Sequence, residues 1–238
     1  MKNLDASLDY MENARFNYLY APIVLRMEKT SQFQRCELLS LVLIYHKFVL
    51  ENGSRAKYMT TVQLSRMIEM FFHISDREIN AIIVSRISRY DDTINDPKFT
   101  YDRYCSLVSF IRLFSIYFSE SLDLRMQFAF SVYDTTERGC LDREVVTRWV
   151  DKFFEGDDED EIFELRTDMT EVIFMKFDLD RDMVISEEEY FNVVREQPAL
   201  IEFLGRVFPS TRDLDVIAMC SNILSFFDRT GHPLADEL

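Results

Sequence analysis

Asp178, Asp180 and Asp182 set three carboxylates on alternate residues, and Glu189 adds a fourth a few residues on. Carboxylates so spaced suit one kind of chemistry, the wrapping of a hard cation in oxygens. Counted from Asp178 as position 1, carboxylates fall at 1, 3 and 5, the backbone carbonyl of Val184 at 7, Ser186 at 9 and Glu189 at 12. A carboxylate at position 12 can bind through both oxygens and close the shell. Asp178, Asp180, Asp182, Val184, Ser186 and Glu189 are therefore the candidate ligands of one Ca2+. Ile185 at position 8 suits a short β-bridge to a paired loop, and Phe177, Tyr190 and Val194 give the flanking segments apolar faces.

This ligand order is that of an EF-hand, with one defect. Position 6, where the pattern has glycine, is Met183. A left-handed bend costs a residue with a Cβ about 1–2 kcal/mol, which weakens binding roughly five- to thirtyfold. A sensor-type affinity of about 10⁻⁷–10⁻⁵ M would slip to about 10⁻⁶–10⁻⁴ M. Glu187 and Glu188 stand at non-ligand positions and add only negative potential.

Residues 134–145 (DTTERGCLDREV) repeat the frame with Asp134 at position 1, Gly139 at 6 and Leu141 at 8. Arg138 at position 5 and Val145 at position 12 remove ligands, so this loop is expected to pair Leu141 with Ile185 and to hold no ion. The stretch 91–104 has Asp91, Asp92, Asp96 and Asp102, but no register gives it a proper position 12, and it runs several residues long before a helix expected near Cys105. Residues 51–62 join two helices without an acidic ligand set.

The elements that must position these loops are helical. Residues 36–50 are apolar almost all round, which suggests a buried helix. Ser75 and Glu78 suit a capping box for a helix carrying Ile79, Ile82, Ile83 and Ile87. Helical spacing recurs at Leu107–Phe110–Ile111–Phe114–Phe118, at Leu122–Met126–Ala129–Phe130–Tyr133 and at Val146–Trp149–Val150–Phe153. It returns at Leu165–Met169–Val172–Ile173, and after Pro209 at Leu214–Ile217–Ser221–Leu224. The expectation is an all-α, two-lobed EF-hand protein with four helix–loop–helix units, three of them degenerate. Its divisions are an N-terminal extension (1–32), an N-terminal lobe (33–118), a C-terminal lobe (119–209) and a C-terminal helix and tail (210–238).

Composition narrows the function. Five Gly and five Pro in 238 residues, beside 21 Phe and 11 Met, fit a helical globular chain. The net charge of −15 disfavours nucleic acid, anionic membrane and the acidic surface of microtubules as direct partners. Cys36, Cys105, Cys140 and Cys220 are scattered and read as reduced, partly buried thiols. The start has no apolar core of a secretory signal and no glycine after Met1 for myristoylation, and the terminal ADEL reads as a chance match to a retrieval signal. The apolar run 38–50 contains His46 and Lys47 and is too short to span a bilayer. A soluble cytoplasmic protein is expected. His46, His73 and His232 are isolated, and there is no phosphate loop or nucleophile elbow, so no enzyme is expected.

From about Phe33 to Pro209 the chain resembles the calaxin family, EF-hand proteins of ciliary and flagellar axonemes. The resemblance is carried by QFQRCELLSLVLIYHKFV (32–49), SLDLRMQFAFSVYD (121–134) and FDLDRDMVISEEEYFNVVREQPALIEFLG (177–205). It implies a calcium-responsive adaptor at the outer dynein arm or its docking complex, tuning motility. Calcium at the loop is expected to expose an apolar groove rich in Phe and Met that takes a protein partner. The family has three good calcium loops after a degenerate first unit, whereas here only the last is near-complete. Alternatives are a calcium-independent structural EF-hand adaptor, or a regulatory subunit like neuronal calcium sensors or calcineurin B.

Overall fold

Capping side chains begin most of the helices of this chain. A computed structural model describes residues 9–156 and 158–230; residues 1–8, Asp157 and residues 231–238, with His232 and the terminal ADEL, lie outside the described residues. Among the described residues there are eleven α-helices, one 3-10 helix and two antiparallel two-stranded ribbons, the all-α class that the periodicity predicts. No helix among them is long and apolar enough to cross a membrane.

The chain divides into two compact units. The first comprises residues 9–73, 87–118 and 209–230. Its α1 (Tyr10–Met27) is capped by Asp9, which accepts the Glu12 N–H at 2.7 Å, and buries Phe16, Tyr20 and Val24 at i, i+4, i+8 against α2 (Arg35–Glu51). This helix lies in what the sequence presents only as an extension. Next come β1 (Met59–Thr60) and α3 (Thr61–Phe72), where Thr60 and Gln63 form a capping box. After α4 (Arg77–Ser88), β2 (Tyr104–Cys105) pairs with β1, Met59 opposite Cys105, and α5 (Leu107–Tyr117) starts from Ser106. Buried Tyr45 pins this ribbon: its hydroxyl donates to the Cys105 carbonyl at 2.8 Å and accepts the Met59 N–H at 3.2 Å.

The second unit comprises residues 74–86 and 119–208. It contains α6 (Leu122–Tyr133), β3 (Cys140–Asp142), α7 (Arg143–Val150), α8 (Glu159–Phe177), β4 (Val184–Ser186), α9 (Glu187–Glu196) and the 3-10 helix Pro198–Glu202. The core is aromatic, with Tyr133, Trp149, Phe177 and Tyr190 buried and the Phe177 ring stacked 4.2 Å from Phe203. The first part of α4 packs here. Arg86 donates to the Ser131 and Asp134 carbonyls at 2.9 and 2.8 Å, and Ile79 closes on Gly205. A Cβ on Gly205 would sit 2.8 Å from Ile79 Cδ1, and its φ of +125° excludes other residues at low cost. The chain returns to the first unit through α10 (Thr211–Cys220) and α11 (Ser225–Thr230).

Several local expectations shift by a residue or a face. The cap of α4 is Asp76, which accepts from the N–H groups of Glu78 and Ile79, so the helix starts one residue later than a Ser75 cap would place it. α7 ends at Val150, leaving Phe153 exposed. α8 buries Thr170, Ile173, Phe174 and Phe177 and turns Leu165 and Val172 outward, because Phe177 must reach the aromatic core at the loop. Asn222, left-handed at φ 54°, ends the last periodic stretch early, so Ile223 is buried and Leu224 exposed. All four cysteines are free thiols; Cys105 is buried and Cys36 and Cys220 are exposed.

Candidate metal centre

The loop between α8 and α9 is held at both ends by the second unit's core. Phe177, the last residue of α8, and Tyr190 in α9 are buried, and the Tyr190 hydroxyl donates to the Ile201 carbonyl at 2.8 Å. β3 and β4 fix the middle in the register Cys140–Ser186, Leu141–Ile185, Asp142–Val184. Leu141 and Ile185 are fully buried, the pairing expected of the two position-8 residues.

Within this frame Asp178, Asp180 and Asp182 each direct a carboxylate oxygen to one place, the three atoms lying within 4.8 Å of one another. Backbone amides orient them. Asp178 accepts the N–H groups of Asp182 and Met183 at 3.1 and 3.0 Å, Asp180 accepts that of Asp182 at 3.1 Å, and Asp182 accepts that of Val184 at 2.9 Å. Each donor offsets part of the repulsion between like charges.

Glu189 is not one of the three converging carboxylates; it folds back over the loop onto backbone amides. Its Oε1 accepts the Leu179 and Asp180 N–H groups at 2.8 and 3.3 Å, and its Oε2 accepts the Ser186 N–H and hydroxyl at 2.9 and 2.8 Å. Burial pushes its carboxyl pKa up, but these hydrogen bonds outweigh burial and leave it below the ordinary glutamate range. Ser186, the position-9 residue, caps α9 by accepting the Glu189 N–H at 3.2 Å. Val184 lies in β4, positioned by its pairing with Asp142. Oxygen donors alone, several of them anionic, fit a hard divalent cation.

Met183 takes the bend at φ 69° with its side chain about half exposed. Its counterpart Gly139 has φ 72°, and each donates its N–H to the first aspartate of its loop, Met183 to Asp178 at 3.0 Å and Gly139 to Asp134 at 2.7 Å. The two loops share a second left-handed residue at position 4, Glu137 at φ 56° and Arg181 at φ 64°. Nothing in the residue types at position 4 signals this. The backbones match; the ligands do not.

In the companion loop Arg138 donates to Thr136 Oγ1 at 3.1 Å and pairs with Asp142. Those partners occupy positions 3 and 9, two of the places an ion would draw on. The hydrogen bond to Asp142 raises the Arg138 pKa further, and Asp142, accepting first the Val145 N–H and then Arg138, is held below the usual carboxylate range. A guanidinium thus bridges groups that a metal would bridge in an intact loop.

In the first unit Asp91 is buried, accepting from the Ser106 and Thr93 hydroxyls at 2.8 and 2.6 Å, while Asp96 pairs with Lys57 at 3.1 Å. The long segment before β2 forms one wall of a cavity of about 590 Å³ faced by Tyr20, Tyr45 and Tyr58. Periodicity gave no hint of this cavity, because it depends on α1.

No family model matches the chain. Calaxin of Danio rerio is 22% identical over 188 residues, 78% of this chain and 85% of that protein. Calaxin of Xenopus laevis is 22% identical over 183 residues, 76% and 83% of the two chains. Calaxin of Homo sapiens is 23% identical over 182 residues, 76% and 82%. The chain is thus a distant relative of calaxins, similar to them over more than three quarters of its length.

Proposed function

We propose that this chain is an EF-hand calcium-binding adaptor of the ciliary or flagellar axoneme, working at the outer dynein arm or its docking complex. The observation that carries the proposal is the convergence of Asp178, Asp180 and Asp182 oxygens within 4.8 Å in a loop fixed by α8, α9 and the β3–β4 ribbon. Similarity to calaxins along most of the chain supports the axonemal setting. On this reading Asp178, Asp180, Asp182, the Val184 carbonyl, Ser186 and Glu189 hold one Ca2+. The ion supplies the charge that lets these oxygens draw together and shift α8 against α9. The two-lobed arrangement of four helix–loop–helix units belongs to the same proposal, as does an apolar groove that receives a partner helix.

A second reading has its own observation. Arg138 supplies a built-in cation to the companion loop, so the pair of loops is half-committed to ion-free use and the scaffold can act as a constitutive adaptor. The two readings separate in a calorimetric calcium titration beside Glu189→Gln in physiological magnesium. The sensor reading expects one micromolar site that the variant loses. Millimolar binding, or no heat, leaves the structural adaptor.

A further inference from the structure

The cavity beside α1 lies within the first unit, and most of its surface is apolar or aromatic by residue type. Tyr20 and Tyr45 stand buried along it. The Tyr45 hydroxyl already serves Cys105 and Met59, and that of Tyr20 lies 3.1 Å from His46 Nδ1, so what these two side chains offer the cavity is ring. Leu19 and Ile23 of α1 and Val108 of α5 add aliphatic surface. The opposite wall, through Ile94 and Pro97, is anchored by Phe99, which packs edge to face on Tyr58 at 4.8 Å and on Tyr101 at 5.3 Å.

The charged groups of the lining differ in what they have left to give. Asp91 accepts the Thr93 and Ser106 hydroxyls, and Ser106 Oγ also accepts the Ser109 N–H at 3.0 Å. Asp96 accepts the Lys98 N–H at 3.0 Å and the Lys57 ammonium at 3.1 Å. Both carboxylates are thus committed, and a cationic ligand would compete with bonds already made. Arg26 lines the same cavity from the last turn of α1, and among the described residues its side chain makes no hydrogen bond and no ion pair.

We propose that this cavity is a binding site for an amphipathic organic anion, an aliphatic chain ending in one carboxylate. The chain lies against the tyrosine rings and the aliphatic walls, and the carboxylate takes the Arg26 guanidinium. A volume of about 590 Å³ falls within the range of pockets that enclose small organic ligands. A guanidinium matches a carboxylate with two parallel N–H bonds, and the apolar area removed from water supplies the rest. The net charge of −15 repels anions at long range, so selection rests on contact with Arg26 rather than on steering. The inference goes beyond the adaptor reading and uses none of the calcium ligands.

The test titrates decanoate into the full chain by calorimetry, beside decanol and decylammonium as probes of the same chain length. Wild type should show one saturable decanoate site. Arg26→Gln should weaken it at least about tenfold and leave decanol binding unchanged, since only the charge-assisted bonds are lost. Val108→Phe, which fills the cavity, should abolish decanoate binding; should that variant lose the wild-type far-UV spectrum, Ile94→Phe takes its place. No saturable site in wild type overturns the proposal. Binding that survives in the folded cavity-filling variant also overturns it, by placing the ligand on another apolar surface. Decanol or decylammonium bound as tightly as decanoate, or equal decanoate affinity in Arg26→Gln and wild type, overturns the choice of an anion. Calcium binding at the second unit is measured separately, so its failure and this one are distinguishable.

Discussion

Met183 and Gly139 take the same bend, 69° against 72°, with the same N–H bond to a first aspartate, so their difference is nearly a single Cβ. Because the Met183 side chain is about half exposed, its removal forfeits little packing. Met183→Gly should therefore recover about 1–2 kcal/mol of bend strain, expressed as a roughly five- to thirtyfold lower calcium Kd. Calorimetry of the two proteins side by side checks this, and an unchanged Kd would show that the strain is absorbed in folding. A second residue-scale outcome concerns His46. Its ring is buried against Phe16 and Tyr20, with Nδ1 3.1 Å from the Tyr20 hydroxyl and Nε2 3.6 Å from Glu12. Burial lowers its pKa below 6.5, reinforced by Arg15 and opposed by Glu12. The unfolded chain then binds the proton better, so stability from this site is present above pH 6.5 and lost as pH falls below it. The melting temperature should drop between pH 7 and 5.5, and His46→Phe, which keeps a ring in place, should flatten that drop. An equal slope in both proteins would assign the acid sensitivity elsewhere.

Elements show which parts of the design can be read from residue order. The calcium-loop spacing, the Leu141–Ile185 pairing and most helices were legible because each depends on short-range pattern: alternate carboxylates, one bridge residue, apolar period. α1 was not, although Phe16, Tyr20 and Val24 fall at helical spacing, because the same helix also carries exposed Tyr10, Met11 and Tyr18, which blur the stripe. The buried face of α8 was misplaced for a related reason: the helix has apolar residues on several sides, and only the tertiary demand on Phe177 selects one. The role of Arg138 lies between these cases. Its charge at position 5 announces a lost ligand, but only the folded loop places it between Thr136 and Asp142. If that guanidinium substitutes for an ion, returning the ligands should return the site. Arg138→Asp with Val145→Glu gives the companion loop carboxylates at positions 5 and 12 on a backbone that already bends at Gly139. Calcium stoichiometry should rise from one to two per chain by calorimetry, whereas Val145→Glu alone, with Arg138 in place, should remain at one.

At the scale of the whole molecule, the three converging aspartates fall in one of two compact units, and that unit has a natural reporter. The sole tryptophan, Trp149, is fully buried in the second unit, with its indole N–H donating to the Tyr133 carbonyl at 3.1 Å. Tyr133 ends the helix before the companion loop, so Trp149 senses the packing that supports both loops of the β3–β4 pair. Tryptophan emission therefore follows unfolding of the second unit, while far-UV circular dichroism follows helices of both. An ion that binds only the folded loop stabilises it by about 2.7 kcal/mol at a hundredfold excess over Kd. Calcium should accordingly raise the fluorescence-detected unfolding midpoint, and Glu189→Gln should abolish the rise. Had the acidic segment before β2 been the operative site instead, the dichroism midpoint would move while tryptophan emission kept its own. The net charge of −15 gives a further control, since nonspecific counterion screening by added monovalent salt stabilises wild type and Glu189→Gln alike, whereas the site-specific shift separates them.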